Sequence, residues 1–114
     1  MLDFEKLIVY KKAKLLYAEI YFEILNPNKV DRILKDQLQR ASTSIILNIA
    51  EGCSRLGKKD RRHFYVIARG SAFECVSIFE ILLLQGTVNN LVYSNLYNKT
   101  EEISKMLFGL IRKL

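Results

Sequence analysis

Apolar residues recur along this chain at spacings of three and four, and short polar or glycine-containing stretches divide the pattern into four segments. Phe4, Ile8, Leu15, Ala18, Phe22 and Leu25 follow the spacing with one break at Lys11, which predicts an amphipathic helix over residues 4 to 25. Asn26-Pro27-Asn28 ends it; Asn28 is suited to cap the following helix, with Asp31 three residues on placing a carboxylate near the positive helix end. Leu34, Leu38, Ala41, Ile45, Asn48 and Gly52 continue the alternation on a second helix of roughly 25 residues, its seam interrupted by an amide. Leu56-Gly57-Lys58 supplies the next turn, since glycine tolerates the backbone angles that end a helix. A third stripe, Phe64, Ala68, Ser71, Cys75, Ile78, Leu82 and Gln85, runs up to Gly86. After the polar stretch 87 to 90, a fourth helix carries Leu96, Ile103, Leu107, Leu110 and Leu114. Long helices joined by short turns make antiparallel neighbours, so the expected fold is all-α, an up-down-up-down four-helix bundle.

Length makes this a single domain over residues 1–114, large enough for one hydrophobic core and too short for two. Half the residues are apolar, with one proline and five glycines, which excludes a disordered tail and a loop-rich scaffold. The start, Met1-Leu2-Asp3-Phe4-Glu5-Lys6, does not read as a signal peptide, and no apolar run approaches the roughly 18 residues of a membrane span. Cys53 and Cys75 then imply a reducing, cytoplasmic setting in which both remain thiols.

The formal charge is +6, and its placement matters more than its sum. Arg55, Lys58, Lys59, Arg61 and Arg62 fall within eight residues, opposed only by Asp60. Smaller basic groups stand at Lys11, Lys12 and Lys14 and at Lys29, Arg32 and Lys35, whereas the acidic residues are scattered.

One block is more specific than periodicity. Leu38-Gln39-Arg40-Ala41, Ser44-Ile45 and Asn48-Ile49-Ala50-Glu51-Gly52 are followed by Phe64, Ala68, Gly70-Ser71 and Glu74. Their order and spacing resemble the bacterial 23S rRNA-intervening-sequence protein family. Phe4, Leu7, Val9, Ala13, Leu16 and Tyr21 are similar to that family's first helix, and Lys105-Met106-Leu107 with Leu110-Ile111 to its ending. One departure is visible: relatives commonly place proline after the Ser-Ile pair, where this chain has Ile46 and so keeps a helical backbone donor. The resemblance implies a four-helix bundle and a homopentamer of bundles standing side by side. Related bundles serve as accessory proteins to retroelement reverse transcriptases, which makes such an enzyme a candidate protein partner.

Candidate chemistry is sparse. Asn48 on an apolar seam needs hydrogen-bond partners and suits a device that fixes helix register, as single buried polar residues do in bundles. Arg40, Glu51 and Glu74 complete this polar motif, as interhelical ion pairs or subunit contacts. Glutamates without Glu-x-x-His partners do not make a di-metal site; His63 is the only histidine, and Cys53 and Cys75 do not form a Cys-x-x-Cys pair. A Cys53–His63 nucleophile lacks an orienting partner and an oxyanion site. Gly70-Ser71 reads as close helix packing, not as a phosphate loop. No catalytic residue, metal or cofactor is expected.

The basic turn remains. Arg55, Lys58, Lys59, Arg61 and Arg62 at a helix-hairpin tip are suited to phosphates, with His63 and Tyr65 beside them for stacking or hydrogen bonds. In a pentamer they form a rim of about 25 cations, so avidity follows without new contacts. Two readings are carried forward: a non-enzymatic oligomer that binds structured RNA or DNA, accessory to RNA processing or reverse transcription, and an adaptor oligomer that binds another protein. For the second, Tyr17, Tyr21, Phe79, Leu83 and Tyr93 are the candidate outer-face positions.

Overall fold

The computed structural model describes residues 2–27 and 29–114. A 3-10 turn, Asp3–Lys6, precedes α1 (Ile8–Ile20), which runs into a π-helical turn at Tyr21–Leu25. Three longer helices follow: α2 (Arg32–Ser54), α3 (Lys58–Leu84) and α4 (Asn90–Lys113). The described residues contain no strand.

Cross-helix pairs fix the orientation. Lys12 pairs with Glu102 at 3.0 Å while Glu19, further along α1, meets Asn95 and Lys99, so α1 and α4 run in opposite directions. Ser44 reaches Ser71 and Cys53 reaches Arg61, which sets α2 against α3. Val66 shares a surface hollow with Ile111, and Ser77 one with Tyr97, so α3 opposes α4. Tyr17 bonds Gln39 while Phe4 lies beside Cys53, so α1 opposes α2. The result is an up-down-up-down bundle of 44 × 24 × 21 Å in which each helix packs on its sequence neighbours and α4 closes onto α1. No described helix is long and apolar enough to cross a membrane.

Stops and caps follow local chemistry. Asp31 caps α2, its side chain accepting from Leu34 N at 3.0 Å; the position read as a cap from sequence, Asn28, lies outside the described residues. Asn89 caps α4 by accepting from Val92 N at 2.8 Å. Gly86, with φ of 74°, ends α3 as expected: Thr87 N donates to Leu82 O and Gly86 N to Leu83 O, the paired bonds of a Schellman stop. Gly57 acts otherwise. Its backbone is extended, φ −82°, and it is the N-cap of α3, so no left-handed angle is what ends α2. With Ile46 in place of proline, α2 runs unbroken.

Of the stripe that periodicity suggested for the first segment, only Leu25 is buried. Val9, Ala13, Leu16, Ile20, Ile24 and Leu25 are buried, whereas Ile8, Leu15, Ala18 and Phe22 face out. An extended Leu7 separates Phe4 from the helix, and the π-helical turn adds a residue per turn that brings Ile24 and Leu25 inward together. On α2 the buried set is Leu38, Ala41, Ser42, Ile45, Ile49 and Gly52; Ile49, not Asn48, fills the seam. The α3 stripe is close to expectation, with Tyr65 in place of Phe64, with Ala72 and Phe79 added, and with Gln85 exposed at the C-cap. Phe79 is fully buried, which removes it from the outer-face set. Buried Ser42 and Thr100 satisfy their hydroxyls by donating to Leu38 O and Leu96 O one turn back, both at 2.7 Å.

At Gly52, α2 and α3 approach closely. A Cβ there would lie 2.7 Å from Tyr65 Cε1 and 3.3 Å from Arg61 O, an overlap that a packed ring and a helix backbone resolve only by moving apart. Gly70, read from sequence as the close-packing glycine, is exposed and has nothing within 4 Å of an added Cβ. Two substitutions of the same kind therefore diverge. Gly52→Ala is expected to destabilise by roughly 1–3 kcal/mol through overpacking, less the fraction of a kcal/mol that alanine returns in a helix. Gly70→Ala is expected to be neutral or to stabilise by up to about 1 kcal/mol, and urea unfolding of the two variants checks both signs.

Candidate nucleic-acid interface

Antiparallel packing gathers at one end of the bundle the N-terminal turn, the α2–α3 turn and the last turn of α4. The five cations of the hairpin tip are therefore joined there by Lys6, Arg112 and Lys113. Their carboxylate neighbours are Asp3, Glu5, Glu51 and Asp60, so the end carries more positive than negative side chains. Lys6, Arg112 and Lys113 were legible as participants only through the up-down topology, because they lie some fifty residues away from the hairpin in sequence.

The five cluster residues divide into two groups. Arg55 Nη2 lies 3.0 Å from Glu51 Oε2, and its guanidinium carbon stands 4.7 Å over the Phe64 ring. Arg61 is half-buried and donates from Nη2 to Cys53 O at 3.2 Å, while its Nε is buried without an acceptor among the described residues. These two tie the hairpin tip together. Lys58, Lys59 and Arg62 are exposed and pair with no carboxylate among the described residues.

Lys58 and Lys59 also occupy the first turn of α3, where the helix dipole presents its positive end. Cations there oppose helix stability by about 0.3–1 kcal/mol each at low ionic strength. The N-cap, Gly57, has no side chain to accept from the first-turn N–H groups. Uncapped amides, a positive helix end and three unpaired cations together favour an anion such as phosphate.

The aromatic neighbours are less accessible than the sequence suggested. Tyr65 is buried against Gly52, and burial raises its phenol pKa, with Cys53 adding and Arg61 opposing. It is not a stacking platform. His63 is exposed, edge-on to Phe64 at 5.1 Å, and keeps that possibility.

The polar motif is dispersed. Asn48 is half-buried and donates from Nδ2 to Ser44 O at 2.9 Å and Ser44 Oγ at 3.0 Å; Ser44 Oγ in turn lies 2.8 Å from Ser71 Oγ. This short network crosses from α2 to α3 and supplies the partners that the amide needs. Glu51 pairs locally with Arg55, the C-cap residue just past the end of α2. Arg40 and Glu74 are exposed and make no ion pair with another described residue. Among the described residues no three His, Cys, Asp or Glu side chains converge as a metal site would need.

The described residues make an all-α bundle of four antiparallel helices with one cation-rich end. The chain matches the 23S rRNA-intervening sequence protein family over residues 5–109, and it belongs to that family. It is also similar to a crystal structure, at 1.70 Å, of a protein of unknown function from the S23 ribosomal protein family of Bacteroides thetaiotaomicron. That likeness has a TM-score of 0.82 at 25% identity and covers 91% of this chain and 98% of the other. No curated protein matches the chain.

The two thiols differ sharply. Cys75 is buried, and its pKa is pushed up to about 12 by burial, with the neighbouring Glu74 adding to the rise. Cys53 is half-buried beside the hairpin tip. Since the thiolate is the nucleophile, iodoacetamide at pH 8 should label Cys53 in the native protein and leave Cys75 untouched until the chain unfolds. Linkage gives the accompanying sign: an unfolded thiol ionises near pH 8.5 while native Cys75 stays protonated. Stability should therefore decline from about pH 8.5 towards 12, and Cys75→Ala should remove that part of the decline; mass spectrometry and pH-dependent urea melts check the two outcomes.

Proposed function

We propose that this protein is a non-enzymatic, oligomeric nucleic-acid-binding bundle that engages the phosphates of structured RNA or DNA through its basic end. The observation that carries the reading is the placement of Lys58, Lys59 and Arg62. All three are exposed and unpaired among the described residues, and two of them stand in a first helical turn, where they oppose the dipole. A stability role does not account for charges that weaken the helix bearing them. Arg55 and Arg61 serve the same surface indirectly, holding the turn that presents the other three. Among the described residues no base-reading module is recognised, so the proposed binding follows backbone charge and shape rather than sequence.

Self-association belongs to the same proposal. Ile8 and Leu15 of α1 and Phe22 of the π-helical turn that follows stand exposed at seven-residue intervals, an apolar line of the kind that helices bury against one another. A homopentamer packed through such lines sets five basic ends on one rim, where several weak phosphate contacts act together. The proposal includes an accessory role in RNA processing or reverse transcription, in which the oligomer holds nucleic acid for another enzyme.

Anisotropy of a fluorescent RNA hairpin, titrated at several salt concentrations with native mass recorded on the same sample, tests the reading. Binding should weaken steeply with salt. Changing Lys58, Lys59 and Arg62 together to glutamine should cost about tenfold or more in affinity and lower the log–log salt slope by roughly two to three, with helicity and mass unchanged. Affinity equal to that of the parent would refute the site, and no binding at low salt would refute the function. Leu15→Glu should lower the native mass if α1 is the subunit contact.

A further inference from the structure

The outer face between α3 and α4 carries groups that neither the core nor the basic end uses. Val66, Phe73 and Phe108 are 51%, 55% and 46% exposed, and Gly70 opens onto free space between them. Two hollows that share Arg69 and Phe73 run together along this seam: one of about 400 Å³ extends to Ser77 and Tyr97, the other of about 280 Å³ extends to Val66 and Ile111. Over that length α3 rises about 16 Å, three helical turns. Contiguous exposed apolar groups mark an interaction surface, and a groove between two helices suits a third.

Charge selects the kind of helix. The guanidinium carbon of Arg69 stands 4.8 Å over the Phe73 ring and 5.1 Å over the Phe108 ring, with Arg112 also over Phe108 at 5.7 Å. Arg69 Nε is buried and has no acceptor among the described residues. Because Nε is enclosed, a carboxylate from outside meets this half-buried guanidinium, held between the rings, through its Nη groups. Lys105 adds a cation at the rim, and Glu101, which lines the same hollow, lies 3.8 Å from it.

We propose that the α3–α4 groove docks an acidic amphipathic helix of a partner protein. Its apolar side chains lie over Val66, Gly70, Phe73 and Phe108, and one of its carboxylates accepts from Arg69. A second copy of this chain is a poorer occupant, because the apolar line of α1 is accompanied by exposed Lys11 and Lys14 and would bring cations to cations. Nucleic acid is a poorer one too: phosphate contacts leave the exposed rings uncovered.

The test uses the full chain and a fluorescent synthetic peptide of about 14 residues, with leucines at i, i+3, i+4 and i+7 and glutamates elsewhere. Anisotropy should give saturable binding, at least about tenfold tighter than for a scrambled peptide or for one with lysines in place of the glutamates. Gly70→Leu fills open space, so it should retain helicity and melting behaviour yet weaken binding about tenfold, and Arg69→Met should weaken it comparably. The glutamine variant at Lys58, Lys59 and Arg62 should bind the peptide as the parent does, which separates this site from the phosphate surface. The proposal is overturned by absent binding, by equal binding of the scrambled peptide or by full affinity in Gly70→Leu. Loss of binding in the Lys58, Lys59 and Arg62 variant would place the peptide at the basic end instead, and a lower native mass of Gly70→Leu would make the groove a contact between copies.

Discussion

Close packing of α2 on α3 at Gly52 is the constraint on which the rest of the structure depends. With no Cβ at that position, the Tyr65 ring and the Arg61 carbonyl lie where a side chain would stand. The approach puts Arg61 within reach of Cys53 O, and it keeps α2 and α3 together up to a turn in which only Arg55, Leu56 and Gly57 separate the helices. A larger residue would part the helices and loosen the segment that carries the densest charge in the chain. Lower in the same interface, the Asn48, Ser44 and Ser71 network complements the close approach. Its polar groups must find partners, and so they fix the register of helices whose apolar contacts alone would tolerate sliding.

From that hairpin the electrostatics follow. Two of its five cations are engaged by the fold, Arg55 by Glu51 and Phe64 and Arg61 by a main-chain carbonyl, and three are left to solvent. The alternation of helix direction then adds Lys6, Arg112 and Lys113 to the same end. Surface pairs such as Arg55–Glu51 contribute little to stability, about 0.3–0.5 kcal/mol for neighbours on one helix. Their consequence here is geometric, since they decide which cations remain free for a ligand.

Among the described residues, the exposed apolar line of α1 and the α3–α4 groove differ in charge. The line along α1 is flanked by lysines, whereas the α3–α4 groove has a clamped arginine and a glycine that leaves room above the backbone. The described residues thus present a basic end and two unlike apolar sides. Family membership agrees with the architecture and leaves the biochemical activity open.

The sequence by itself determined the number of helices, their approximate limits, the stop at Gly86 and the basic turn, because three-and-four periodicity, turn residues and charge runs are local properties. Most of the α3 stripe and the Leu38, Ala41, Ile45 and Gly52 positions of α2 were legible for the same reason. Only the tertiary structure decided which of two apolar stripes on α1 is buried, that Ile49 rather than Asn48 fills the seam of α2, that Phe79 belongs to the core, and that Gly52 rather than Gly70 marks the close approach. A helix with apolar residues on more than one side has no inside until its neighbours are placed, and a π-helical turn shifts the phase of every residue after it. Which cations stay free is likewise a matter of distance across helices, and sequence spacing along one helix does not contain it.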